Sequence, residues 1–259
     1  YACWQHFQGI DRVSTPFESE GGEANTLGGY LVVMIMISLS LLFHLRRGRM
    51  KIFLLAALCA AFPALLFTLS RGSWLAFIPG CLVLAMLMKR GRFLLLTGIV
   101  VTVFFAPVLF SGKVQERLEY TFDDQAQYTV MGQTLTLDQS TAARIQTLQL
   151  GLDAWKRNPI IGRGVGSVGP AFDSQYARVL VETGTLGTML FLLILYVLFR
   201  TAFTVRRQYK SDDFALSLSV GFIAALVAML FHGFSAATFI IIRIVEPFWF
   251  LAAMVVRLP

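Results

Sequence analysis

The amino-acid sequence predicts an all-α membrane protein: a polytopic bundle of about seven transmembrane helices with one large, mostly helical extracytoplasmic loop. Three observations predict it. The 259 residues are 56% hydrophobic and only 14% charged, whereas soluble domains carry about 25% charged residues. The apolar residues fall in seven runs, at about 27–43, 52–68, 73–88, 93–110, 185–200, 214–231 and 239–256, most of them near the ~20 residues a helix needs to cross hydrocarbon. The titratable, hydroxyl and glycine-rich sequence concentrates in one interval, 111–183. The chain therefore divides into an outer-face loop (1–26), four spans (27–110), the large loop (111–184) and three spans (185–259). It opens on Tyr1 in polar sequence with no signal peptide, and further spans are expected before residue 1.

Lys and Arg placement sets the orientation. Arg46, Arg47, Arg49 and Lys51 fill the connection 44–51; Lys89, Arg90 and Arg92 fill 89–92; Arg200, Arg206, Arg207 and Lys210 fill 200–213. Alternation over seven spans puts these three connections on one face, the cytoplasmic one. Residues 1–26, the tight turn at Ser70–Gly72, the large loop and the turn at 232–238 then share the outer face. Short basic clusters between apolar runs account for the net charge of +7, so no nucleic-acid partner is implied. Of the three cysteines, Cys59 and Cys81 lie inside apolar runs as core or lipid-facing residues, and Cys3 alone defines neither a disulfide framework nor a metal site. No metal-ligand cluster stands out, and no cofactor is implied.

Within the loop, 128–137 has β-like character and suits a small hairpin. Residues 139–155 read as a helix capped by Ser140, with Ile145, Leu148, Leu152 and Trp155 on one apolar face and Asn158-Pro159 ending it. Gly162, Gly164, Gly166 and Gly169 form a flexible turn whose N–H groups suit an anion nest. GRGVGSVG superficially matches a dinucleotide loop but follows no strand of a βαβ unit, so that reading is rejected. Residues 172–181 form a second short helix along the membrane surface, hinged at Gly184 and Gly187 into the next span.

The candidate chemistry lies in a few side chains. Arg71, at a span end in LSRGSWL, either snorkels to headgroups or faces a bound anion. Arg144, in the first turn of the loop helix, opposes the helix dipole; it is a solvated surface residue or a phosphate ligand together with the free N–H groups there. Arg163, in the glycine turn, is a further substrate-binding candidate. Asp173 is an ordinary N-cap or a general base, and as a base it needs burial or a neighbour to raise a carboxyl pKa near ~3.9. Ser174, Gln175 and Tyr176 suit a sugar hydroxyl. Glu182 lies by the span entrance, and His232 at the outer end of a span. Arg243 and Glu246, inside the last apolar run, pair with each other or line a cavity.

EANTLGGYL (23–31), TLSRGSWLAF (68–77), Arg144 through AWKRNPIIGRGVG, and DSQYARVLVETGTLG, taken in order over 12–189, resemble the O-antigen ligase and O-antigen polymerase family. The resemblance implies a metal-independent integral-membrane glycosyltransferase of the bacterial inner membrane, multi-pass, with its large loop in the periplasm. It implies an undecaprenyl-diphosphate-linked glycan as donor and a glycan, lipid or protein as acceptor. The family's two diphosphate-holding arginines carry over to Arg71 and Arg144. The loop histidine that serves as base in the ligases, usually followed by asparagine, is here Asp173 followed by Ser174. That departure points away from lipid A-core ligation and towards a polymerase or an atypical relative, and leaves open a member without activity. From other classes, a lipid-linked-glycan transporter would place its polar residues at the membrane midplane, whereas here they crowd one loop. A non-catalytic, lipid-binding subunit of a larger complex is the remaining alternative.

Overall fold

The computed structural model describes residues 1–9, 13–15, 23–46, 48–88, 91–98, 125–130, 133–169 and 172–258. Its elements are α1 (Ala2–Phe7), α2 (Ala24–His44), α3 (Gly48–Phe67), α4 (Arg71–Leu87), β1 (Gln125–Val130), β2 (Gln133–Asp138), α5 (Gln139–Arg157), α6 (Gln175–Gln208), α7 (Asp213–His232) and α8 (Ile242–Arg257). Among the described residues four helices, α2, α3, α6 and α7, are long and apolar enough to cross a membrane. Helices α4 and α8 are shorter, at 17 and 16 residues. The apolar run expected at 93–110 is helical over 92–98, and its remainder lies outside the described residues. The chain forms two compact units, one of residues 1–101, 195–232 and 238–259, the other of 102–194 and 233–237.

In the first unit, α2 packs against α3, α4, α7 and α8, and α7 also packs on α4 and α8. Inside a bilayer, apolar side chains gain nothing from leaving lipid for one another, so helix contacts depend on close approach and interhelical hydrogen bonds. The pair α2–α7 has such a bond: Ser40 Oγ donates to Ser217 O at 2.6 Å, fully buried. A core of Leu27, Leu31, Val32, Ile35, Leu58 and Leu65 fills the space around α2. By contrast, α3 turns Ile52, Phe53 and Leu55 outward, as a helix facing lipid does. Cys81 is fully buried and Cys59 exposed, as expected of core and lipid-facing positions.

The basic connections meet at one end of this unit. Arg46 Nε lies 3.0 Å from Asp213 Oδ2, Arg206 Nη2 donates to Leu87 O at 3.2 Å, and Gly91 packs against the ring of Phe43. The starts of α2 and α4 and the end of α7 gather instead around Ser73 and His232. Arg243 and Glu246 fall in the first turns of α8, which begins at Ile242. They are thus near a helix end rather than mid-run: Glu246 is exposed, and Arg243 Nη1 donates to Thr15 Oγ1 at 3.3 Å.

In the second unit, β1 and β2 form an antiparallel hairpin pairing Gln125 with Asp138 and Val130 with Gln133, around the stretch where β character was expected. Helix α5 leaves β2 without a linker, so Ser140 is the second residue of the helix and not its cap. Among its described side chains, Ala142 and Gly151 are buried, Ile145, Leu152 and Trp155 are half-buried, and Leu148 is 45% exposed. Of the expected apolar face, Leu148 alone is turned outward. Gly151 brings the helix close to its neighbour, because a Cβ there would lie 3.0 Å from the Phe172 ring: the helix docks through its smallest residue.

Helix α6 is two helices joined at Gly184, whose φ of 65° and ψ of −167° no helix accommodates. Such a break frees N–H groups in the following turn. Two are taken up by the segment after α5: Thr185 N donates to Pro159 O at 2.8 Å and Leu186 N to Ile160 O at 3.1 Å. Trp155 Nε1 donates to the same Pro159 carbonyl and to Thr185 Oγ1, both at 3.1 Å. The expected hinge is thus real at Gly184, whereas Gly187 lies within the second helix, packed tightly on the Thr183 side chain. At Gly184 a Cβ would collide with the Ile160 carbonyl on a backbone that L residues avoid. Gly184→Ala is therefore expected to destabilise by about 1–3 kcal/mol, read as a lower Tm of detergent-purified protein; an unchanged Tm would show that the break survives without glycine.

Candidate functional site

The first cluster is built at the α3–α4 junction. Helix α3 ends at Phe67 and α4 begins at Arg71, so the turn is 68–70 and Arg71 is the first helical residue rather than part of the turn. Leu69 bridges the two helices with a φ of 49°, a left-handed conformation costing a non-glycine residue about 1–2 kcal/mol. That bend points Ser70 back onto its own helix, where Ser70 Oγ accepts from Ser73 N at 3.3 Å as the N-cap. The Ser70 hydroxyl donates to Asn25 Oδ1 at 2.7 Å and sits 2.8 Å from Ser73 Oγ. Ser73 Oγ is 3.1 Å from His232 Nε2, and His232 Nδ1 is 2.6 Å from Thr238 Oγ1. Five polar side chains from α2, the head of α4, α7 and the segment after α7 thus form one hydrogen-bonded chain, buried from Ser70 to Thr238 and half-buried at Asn25. His232, 1% exposed, is bonded through both ring nitrogens.

The EANTLGG segment makes this chain possible. Any Cβ at Gly28 would collide with the Ser73 side chain, and one at Gly29 would lie 2.9 Å from His232 Cε1 and 2.6 Å from Ile244 Cδ1. Arg71, half-buried at the head of α4, stands at a helix N-terminus, where free N–H groups and the dipole favour an anion.

The second cluster surrounds Asp173. Helix α6 starts at Gln175, and Ser174 holds the capping position, its Oγ 3.5 Å from the Ala177 N–H. Asp173 is therefore not the cap. It lies one residue further out, half-buried, and burial raises its carboxyl above the usual aspartate range against the opposing pull of Arg144 and Arg178. Arg144 is the sixth residue of α5, a turn beyond the first-turn position expected, because the helix starts directly off β2. Tyr176 packs its ring against Phe234 at a centroid distance of 4.7 Å.

Arg178 went unnoticed in the sequence, yet it organises this cluster. Its Nη2 donates to Gly169 O at 2.7 Å and Phe172 O at 3.3 Å, and its Nη1 to Val168 O and Glu182 Oε1, both at 3.3 Å. Glu182, almost fully buried, also accepts from Gly166 N at 3.2 Å. The backbone adds Arg163 N to Val181 O at 2.8 Å and Gly164 N to Glu182 O at 2.9 Å. The glycine segment is thus a bonded loop and not a flexible turn, and its N–H groups at 163, 164 and 166 are spent on α6. The expected anion nest holds an internal anion, Glu182. Arg163 itself is exposed. The signal for Arg178 was present: Arg and Glu four apart on one helix face, among apolar neighbours, is the spacing of a helical ion pair. Among the described residues, no three His, Cys, Asp or Glu side chains come together as a metal site.

The long apolar helices define a multi-pass membrane protein. The sequence profile of the O-antigen ligase family matches residues 56–192, over half the chain, and the chain belongs to that family. Its role is that of a membrane enzyme of the ligase type acting on lipid-linked glycans. No curated protein matches the chain. Arg71, Arg144, Asp173, Arg178 and Glu182 all fall inside the matched region.

Breaking a buried ion pair from one side costs about 3–5 kcal/mol, and here Arg178 also binds three carbonyls. Arg178→Ala should therefore release the glycine loop, so that trypsin cleaves after Arg163 in the folded variant much faster than in the parent. Equal cleavage rates would show that the backbone bonds hold the loop without Arg178.

Proposed function

We propose that the protein is a metal-independent glycosyltransferase that takes a glycan from an undecaprenyl-diphosphate carrier at the outer face of the bacterial inner membrane. It transfers the glycan to a glycan, lipid or protein acceptor or polymerises it. In this reading the chain has seven spans, and the large loop is periplasmic. The observation that carries the reading is Asp173: a half-buried carboxylate, relieved of capping by Ser174, in the field of Arg144 and Arg178. In the reaction, an acceptor hydroxyl attacks the anomeric carbon while its proton passes to the Asp173 carboxylate. The bond from that carbon to the diphosphate oxygen breaks, and the electron pair leaves with the diphosphate. Attack opposite the leaving group inverts the anomeric centre, the facial logic of an inverting glycosidase with a sugar in place of water. Arg71 and Arg144 carry the growing negative charge, which guanidinium does without changing protonation. Ser174 and Tyr176 are assigned to sugar binding, and His232 holds the Ser73–Ser70 side of the α4 head.

Transfer by purified protein from a carrier-linked glycan, with a panel of acceptors, tests this reading. Arg71→Ala, Arg144→Ala and Asp173→Asn should each lower the rate at least ~100-fold, as removal of a general base or of one charge-stabilising group does, with the fold retained. A variant that keeps full activity removes that residue from the mechanism. Folded protein that binds donor but transfers to no acceptor would favour a lipid-binding subunit.

The pH profile has a defined sign. A base works ionised, so the rate rises with pH through the pKa of Asp173. Burial places that limb above the ordinary carboxylate range. The same shift means that the protonated carboxyl favours the folded state at low pH, a contribution lost as pH rises through the raised pKa. Glu in place of Asp173 should restore a limb that Asn lacks; a limb unchanged in Asp173→Asn would assign the titration elsewhere.

A further inference from the structure

The segment joining α5 to α6 presents a surface that the proposed reaction leaves unused. Ile160, Ile161 and Val165 are 70%, 72% and 85% exposed. On a loose loop such exposure would carry little meaning, but here the backbone beneath is tied down. Gly162 N donates to Asn158 O, Arg163 N to Val181 O, and Gly164 N to Glu182 O. Three large aliphatic side chains are therefore held outward by a rigid base, which soluble surfaces avoid.

Two further features say what covers them. The apolar surface is continuous with that of a membrane helix: Leu186 N donates to Ile160 O, and Leu186, Met189, Leu190 and Leu193 on the apolar half of α6 are each more than half exposed. The loop tip thus continues, at the head of that helix, the surface the helix offers to lipid. Two exposed arginines, Arg157 and Arg163, lie beside and within this tip in the chain. Exposed aliphatic side chains interspersed with arginines are the pattern of an element lying in the headgroup region of a bilayer, with apolar groups at the acyl boundary and cations at the phosphates. A protein partner would call for neither the continuity with α6 nor the arginines.

We propose that residues 160–165 form a bilayer-interface anchor, with Ile160, Ile161 and Val165 at the acyl boundary and Arg157 and Arg163 on phospholipid phosphates. Because Arg178 and Glu182 bind the same loop on its inner side, the anchor fixes the depth of Asp173 relative to the membrane surface. Arg163 then serves lipid rather than donor.

The test uses the full chain in vesicles of phosphatidylcholine and phosphatidylglycerol. Exposed Cys59 and partly exposed Cys3 are replaced by Ser, and buried Cys81 is left in place. An environment-sensitive fluorophore is attached at Ile161→Cys, at Val165→Cys, or at the exposed control Asp153→Cys. Two separate label sites guard against one variant misfolding, and only monodisperse protein is reconstituted. The expected result is blue-shifted emission at 161 and 165, quenching by aqueous iodide several-fold weaker than at 153, and strong quenching by lipids carrying a nitroxide near the headgroup. Iodide quenching equal to that at 153 would overturn the proposal by placing the tip in water. Protection from both iodide and nitroxide lipid would overturn it in favour of a protein occupant. Neither readout involves glycan transfer, so the anchor stands or falls apart from the catalytic reading.

Discussion

At Gly184 the backbone leaves the helical region, and two N–H groups that a continuous helix would bond internally are bonded by Pro159 and Ile160 instead. Much of the second unit depends on this exchange. It ends the amphipathic half of α6 at the point where the apolar half begins. It returns the chain after α5 to the head of that apolar half, so the glycine loop has a fixed base. It also leaves 175–183 as a short helix whose inner face carries Arg178 and Glu182, and whose first residue is preceded by the Ser174 cap and by Asp173. Each of these is a local choice, and each depends on glycine at one position.

The first unit solves a different problem with similar means. A polar chain from Asn25 to Thr238, buried from Ser70 onward, runs among apolar helices, where an unmatched hydroxyl or imidazole costs about 1–3 kcal/mol. Every link is bonded, at 2.6 to 3.1 Å. Two glycines on α2 provide the room, and a left-handed leucine provides the bend. A network satisfied this fully fixes the relative placement of the helix ends that carry it, including the head of α4 where Arg71 stands.

Much of this was legible in the sequence, and the reasons it was or was not are physical. Long apolar runs declare α2, α3, α6 and α7 because a helix in lipid must be apolar over its whole length. The C-terminal end of α5 and the break at Gly184 were readable because proline and glycine act on the backbone directly. What escaped was set by partners distant in the chain. Ser140 has the right chemistry for a cap, but β2 runs straight into α5, so Ser140 falls inside the helix. Leu148 fits the helical period, but the docking face was chosen by the Phe172 ring and the vacancy at Gly151. Asp173 and Ser174 are both good caps, and only the start of α6 decides between them. The spacing of Arg178 and Glu182 is readable, but the carbonyls Arg178 binds and the engagement of His232 through both nitrogens depend on groups that no local pattern places together.

The bonds from Thr185 and Leu186 to Pro159 and Ile160 also bear on the order of assembly. Their donors belong to the first turn of an apolar helix, and their acceptors lie 26 residues earlier in the chain. During synthesis the acceptor segment emerges first and waits. The glycine loop gains its base only once the later helix has formed beneath it, so the loop is a late product of biogenesis, completed when the span that follows it is in place.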